Sequence, residues 1–137
     1  MNWRDELPTI AVVATGGAIG ASARWAVGNP LSPSTPDGFP WHTFTVNVVG
    51  CFLIGLASTR IVRPSIAWSF TSTGVLGGFT TMSAFAVELN DLADNGETTT
   101  MVAYLLATLV VGFAALAIAE AAGGTVDDAS EGSEAIE

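Results

Sequence analysis

The chain has 137 residues, half of them apolar and only 12% Asp, Glu, Lys or Arg, about half the charged share of an ordinary soluble domain. Its 13 acids face four arginines and no lysine, a net charge of −9, which excludes nucleic acid as a partner because phosphate binding needs a basic stripe. A lone cysteine, Cys51, excludes a disulfide-stapled scaffold, and the apolar content excludes disorder over most of the length, leaving a membrane protein with its charges in loops and tails.

Four stretches carry no ionised side chain: Leu7–Ala23, Gly38–Thr59, Pro64–Val87 and Thr98–Ala119. Each approaches the ~20 residues that cross a ~30 Å hydrocarbon core. They predict an all-α integral membrane protein of four transmembrane helices, multi-pass in the cell membrane. A membrane domain over 1–120 is followed by an acidic, disordered tail over 121–137.

The first span can continue through Trp25–Val27 with Arg24 snorkelling or facing protein. Its Gly16, Gly17, Gly20 and Ala21 make a surface for close helix contact. Residues 28–40 hold four of the six prolines and predict an aqueous loop, with His42 placed in a loop beside Trp41. On the second span Thr43, Asn47 and Gly50 fall on one helical face. Asn47 serves there either as interhelical glue or as a donor that replaces part of a permeating ion's hydration shell. Arg60, Arg63 and Pro64 form a tight link to the third span.

In the third span Gly74, Gly77 and Gly78 precede Thr80 and Thr81, and this predicts a helix break at mid-membrane. Unwound backbone at that depth lines a cavity or meets an ion, and freed carbonyls make a cation site. Gly74 and Gly78 also form a small-xxx-small pair suited to helix packing, and both readings hold together if a packed break sits at a dimer axis. Glu88–Glu97 is read as an acidic connector. The fourth span adds a stripe of Tyr104, Thr108 and Gly112, read either as hydroxyls bonded back to carbonyls or as a hydroxyl track along a pore.

Arg4, Arg60 and Arg63 on one side against Arg24 on the other give a small positive-inside bias for an internal N-terminus, which leaves the orientation open. One histidine, an isolated cysteine and no phosphate loop give catalysis no support, so the chain is read as a non-enzyme. The polar pattern instead supports passage of something small through a dimer or bundle.

Three blocks, GGAIGASARW at 16–25, TFTVNVVGCFLIG at 43–55 and GVLGGFTTMSAFAVE at 74–88, together with Tyr104 and Thr108, resemble the CrcB/Fluc fluoride channels. The resemblance covers most of residues 10–119. It implies an antiparallel, dual-topology dimer, of this chain with itself or with a paralogous subunit, conducting fluoride passively out of the cytoplasm. On that resemblance Asn47 donates its amide to fluoride and Phe85 presents a ring edge. Tyr104 and Thr108 form the hydroxyl track with Ser83 nearby, and Arg24 draws anions to the vestibule. The carbonyls of Gly77 and Thr80 would hold a structural sodium ion on the dimer axis. Glu88 matches a recurrent acid. The chain departs from the family pattern at Met82, where a second aromatic ring is usual, and at Ala84, where Ser or Thr is usual. Met82 therefore either substitutes within a homodimer or marks one member of a pair.

Two alternatives remain from other classes: a small four-helix multidrug/proton antiporter, which needs a carboxylate deep in a span, and a non-conducting membrane scaffold. The acidic, lysine-free segments outside the spans point to a high-salt habitat, with six of the 13 acids lying from Glu120 onward.

Overall fold

The structure, a computed structural model, describes residues 3–31 and 38–124 and is helical throughout. Helix α1 covers Trp3–Leu31 and α2 covers Trp41–Arg60. Helix α3 begins at Ile66–Trp68, widens into a π-helical stretch over Ser69–Leu76 and closes with Gly77–Phe79. Helix α4 follows at Met82–Asp94, and α5 at Thr98–Gly123. Three helical stretches, Glu6–Gly28, Trp41–Arg60 and Thr98–Gly123, are long and apolar enough to cross a membrane uninterrupted. The third of the four long helical runs is bent and made of two half-helices, α3 and α4. The 13 residues of α4 rise about 20 Å, so neither half spans alone.

The helices pack as two pairs, α1 on α3 and α2 on α5. Glycine makes the first pair possible: a Cβ at Gly16 would stand 2.7 Å from the Phe70 carbonyl oxygen, and one at Gly78 only 2.5 Å from that of Gly17. The π-helical register serves this contact. Its wider turn keeps residues four to five apart on one face, so Phe70, Gly74, Val75 and Phe79 all meet the glycines of α1. In the second pair, Gly55 of α2 abuts the Leu116 carbonyl, and Cys51 lies against Gly112. Few side chains are buried, Tyr104, Val46 and Thr43 being the largest fully buried, while Trp25, Val110 and Phe113 stay largely exposed. A thin core and an apolar exterior suit lipid as the outer solvent.

Several boundaries differ from the sequence expectations. The third helical run continues to Asp94, so Glu88 and Asp91 lie on α4 and the connector shrinks to Asn95–Glu97. Helix α1 extends to Leu31, into the stretch expected to be loop, and residues 32–37 of that loop lie outside the described residues. His42 sits in the first turn of α2, because Pro40 is the residue at which that helix starts. The tail expected over 121–137 begins as the end of α5 through Gly123, and 125–137 lie outside the described residues.

Candidate functional site

The break falls at Thr80–Thr81, two residues after the glycine pair. Gly77 stays helical (φ −65°, ψ −35°), whereas Thr80 (φ −75°, ψ 160°) and Thr81 (φ −146°, ψ 118°) are extended. An unwound peptide away from water must find new partners for its N–H and C=O groups. Here side chains from two other helices supply them. Asn47 of α2 grips Thr81 on both sides: its Oδ1 accepts the Thr81 N–H at 2.8 Å, and its Nδ2 donates to the Thr81 carbonyl at 3.0 Å. Arg24 of α1 donates from Nη1 to the Thr80 carbonyl at 3.1 Å. The Thr81 hydroxyl caps α4 by accepting from the Ala84 N–H at 3.1 Å, and the Thr80 hydroxyl donates back to Leu76 at 2.9 Å.

The α2 face read from the sequence looks directly at this segment. Gly50 receives the Thr80 methyl group, Asn47 holds Thr81, and Thr43 donates to Glu88 Oε1 at 2.6 Å. Tyr104 donates to the other carboxylate oxygen, Oε2, also at 2.6 Å. Glu88 thus ties α2, α4 and α5 together through two short hydrogen bonds to charge. Next to it opens a cavity of about 600 Å³, lined by Arg24, His42, Thr43, Thr81, Ser83 and Glu88 among smaller and apolar side chains. Arg24 and Glu88 are its cation and its anion.

Beneath that polar layer lies an aromatic cluster. Phe85, only 4% exposed, packs on Tyr104 with ring centroids 5.0 Å apart. Phe39 meets the Tyr104 ring edge-on at 5.3 Å and Phe44 at 5.5 Å. One turn along α5 from Tyr104, the Thr108 hydroxyl is buried and has no hydrogen-bond partner. Its absence of a partner is unusual here: Thr15, Ser22 and Thr80 each bond back to the carbonyl four residues earlier.

The family model for CrcB-like protein, Camphor Resistance (CrcB), matches residues 11–120. The chain belongs to the CrcB-like family. Among its relatives, Fluoride-specific ion channel FluC 2 of Streptomyces avermitilis is 48% identical over 116 residues, 78% of this chain and 70% of the relative. Fluoride-specific ion channel FluC 1 of Streptomyces coelicolor is 46% identical over 121 residues, 85% of this chain and 78% of that one. Fluoride-specific ion channel FluC of Agrobacterium fabrum is 46% identical over 111 residues, 78% and 89% of the two chains.

In this CrcB-like protein the residues singled out from the sequence fall into three groups. Arg24, Asn47, Thr80 and Ser83 gather at the break, Ser83 lying 3.3 Å from the Thr81 hydroxyl. Phe85 and Tyr104 pack together in the buried layer between α4 and α5, with Thr108 one turn further along α5. Met82 is set apart, 75% exposed at the start of α4. Glu88, whose role the sequence left open, turns out to be the hub. Phe39 and Phe44 were missed, although an aromatic at each end of the FPWHTF segment was a readable signal.

The carbonyls suggested for sodium divide on inspection. A hard oxygen set suits that cation, and the described residues hold no His, Cys, Asp or Glu cluster that would bind a metal by side chains. Gly77 fits: the Thr81 N–H that a continuous helix would give its carbonyl goes to Asn47 instead. Thr80 fits only by sharing, since its carbonyl already accepts a guanidinium N–H.

Proposed function

We propose that this protein is a fluoride-specific channel of the cell membrane that lets fluoride leave the cytoplasm passively. Family membership and relatives of that name over most of the chain support the activity and set it among channels rather than enzymes. Fluoride is small and strongly hydrated, so a pore has to replace its water with fixed donors in a dry setting. The observation that carries the reading is Thr108: a buried hydroxyl with no partner is costly in an apolar interior, and a passing anion would satisfy it.

The other donors extend a path from it. Asn47 Nδ2 carries two N–H groups and uses one on Thr81, so its orientation is locked while the second serves the ion. Phe85 presents the electropositive edge of its ring. Tyr104 gives its only proton to Glu88 and so contributes ring and shape rather than a free donor. Ser83 and Arg24 line the wide cavity where fluoride enters or leaves. No pump is needed, because an inside-negative potential favours anion exit by ~2.3 kcal/mol per 100 mV.

The working unit is an antiparallel dimer, formed with a second copy or with a paralogous subunit. Exposed, apolar Met82 beside the break supports a partner covering that side. A sodium ion on the dimer axis, bound by the Gly77 and Thr80 carbonyls of each protomer, would supply fixed positive charge where the backbone is unwound. The acidic, lysine-free segments outside the spans suit work in concentrated salt, where charge repulsion is screened within a few ångströms.

The test is efflux from liposomes loaded with potassium fluoride or potassium chloride and made potassium-permeable, followed with ion-selective electrodes. Protein expressed alone should release fluoride and retain chloride. Equal release of both ions, or of neither, would overturn the proposal. Fluoride release without a second gene product decides for the homodimer.

A further inference from the structure

The break is fastened at three points, and only two of them come from Asn47. The third is Arg24, whose Nη1 reaches the Thr80 carbonyl at 3.1 Å across 56 residues of sequence. A vestibule arginine that merely attracts anions would point into the cavity and bond to water or to the carboxylate that shares it. Arg24 lines the same cavity as Glu88, yet the hydrogen bond recorded for its guanidinium goes to backbone. That carbonyl is the one turned out by the extended Thr80, so without Arg24 it would be left unpaired at depth.

We propose that Arg24 is a positioning residue of the pore: it pins the Thr80 peptide, sets the direction of the carbonyls at the break, and shares that carbonyl with any cation held on the axis. Its charge is therefore built into the backbone turn instead of floating in the vestibule. Asn47 pins the next peptide from the opposite helix, so α1 and α2 hold the two unwound residues between them. The flux and sodium arms of the test below rest on the channel reading with its axial cation; the NMR arm stands without it.

Full-length protein is compared with Arg24→Lys and Arg24→Gln. Lysine keeps the charge, but its chain ends where the guanidinium carbon sits, one atom short of Nη1, and its ammonium holds water more tightly. Fluoride efflux is measured against fluoride concentration. Thermal unfolding is measured in equal sodium chloride and choline chloride. Pinning predicts that both variants lose roughly 10- to 100-fold in maximal flux, the worth of one charged hydrogen bond, with the half-saturating concentration unchanged. It also predicts that Arg24→Gln depends more on sodium for its unfolding temperature than the parent does, because the freed carbonyl is left to the cation. Arg24→Lys matching the parent in maximal flux overturns the proposal, as does an equal sodium effect on parent and Arg24→Gln. Should the variants not fold, ¹⁵N NMR of the parent decides. Separate, slowly exchanging Nη signals for Arg24 support pinning, and a single averaged signal refutes it.

Discussion

Asn47 offers a prediction in which charge and hydrogen bonding pull in different directions. In Asn47→Asp one carboxylate oxygen still accepts the Thr81 N–H, as Oδ1 does at 2.8 Å. The other oxygen now faces the Thr81 carbonyl, 3.0 Å from where Nδ2 donated. One carbonyl is left unpaired, a cost of about 1–3 kcal/mol. In Asn47→Leu both Thr81 groups lose their partner, about 2–6 kcal/mol on the same scale. Flux reverses the order. A carboxylate ~4 Å from a passing fluoride raises its energy by about 4 kcal/mol at an effective dielectric of 20, which lowers conduction by roughly 10³. Leucine adds no charge and removes one donor. Asn47→Asp should thus be the more stable variant and the poorer channel, and Asn47→Leu the less stable and the better one. Thermal unfolding and liposome efflux read the two orders. If the variants rank the same way in both assays, Asn47 does not serve staple and ion with separate atoms.

Thr108→Val removes a hydroxyl that bonds to nothing in the protomer, so the unfolding temperature should hold or rise while fluoride efflux falls about tenfold; unchanged efflux would remove Thr108 from the path. Tyr104→Phe deletes a 2.6 Å bond to Glu88 and should cost about 1.5–3 kcal/mol of stability, measured by thermal unfolding. Neighbouring glycines separate packing from backbone freedom. Gly78→Ala drives a Cβ to 2.5 Å from the Gly17 carbonyl and should destabilise by about 1–3 kcal/mol. Gly77→Ala meets only the Ser72 carbonyl at 3.6 Å and should leave the protomer intact.

Four long helical runs were legible because lipid excludes charge; three of them are long and apolar enough to span, and the charge-free window Pro64–Val87 became the bent pair α3 and α4. The Thr43, Asn47 and Gly50 face was legible for a related reason: helical period places the three together, and polar or small residues mark the side that meets protein. All three do meet the bent third run, α3 and α4. The exact place of the break was not legible. Gly77 and Gly78 signal freedom to unwind, but Gly78 is committed to touching Gly17. Unwinding moved to the threonines, where Asn47 and Arg24 could hold the peptides. The π-helical stretch had no residue signature, since its hydrogen-bond register is chosen by packing on α1. Glu88 was misplaced into a connector because a charge normally marks the end of a span. Its two stabilising hydroxyls lie 45 and 16 residues away, beyond any local pattern.

That carboxylate raises the question of how an anion passes a fixed negative charge. Among the described residues Glu88 is the one acid lining the cavity, and an uncompensated charge there would repel fluoride by about 2 kcal/mol even at 8 Å and an effective dielectric of 20. Two features offset it. Thr43 and Tyr104 each turn a hydroxyl dipole onto the carboxylate, so the positive ends of both surround it. Arg24 stands in the same cavity, fixed to backbone rather than paired with Glu88. A direct ion pair would cancel both charges locally and leave the ion nothing to meet. With the two held apart by their own partners, Arg24 keeps a field toward the proposed pore while Glu88 is quieted by hydroxyls. The net charge of −9 then has no counterpart in the cavity on the proposed path, where among the described residues carboxylate and guanidinium are one each. On the proposed path, selection of the ion falls to the neutral donors placed between them.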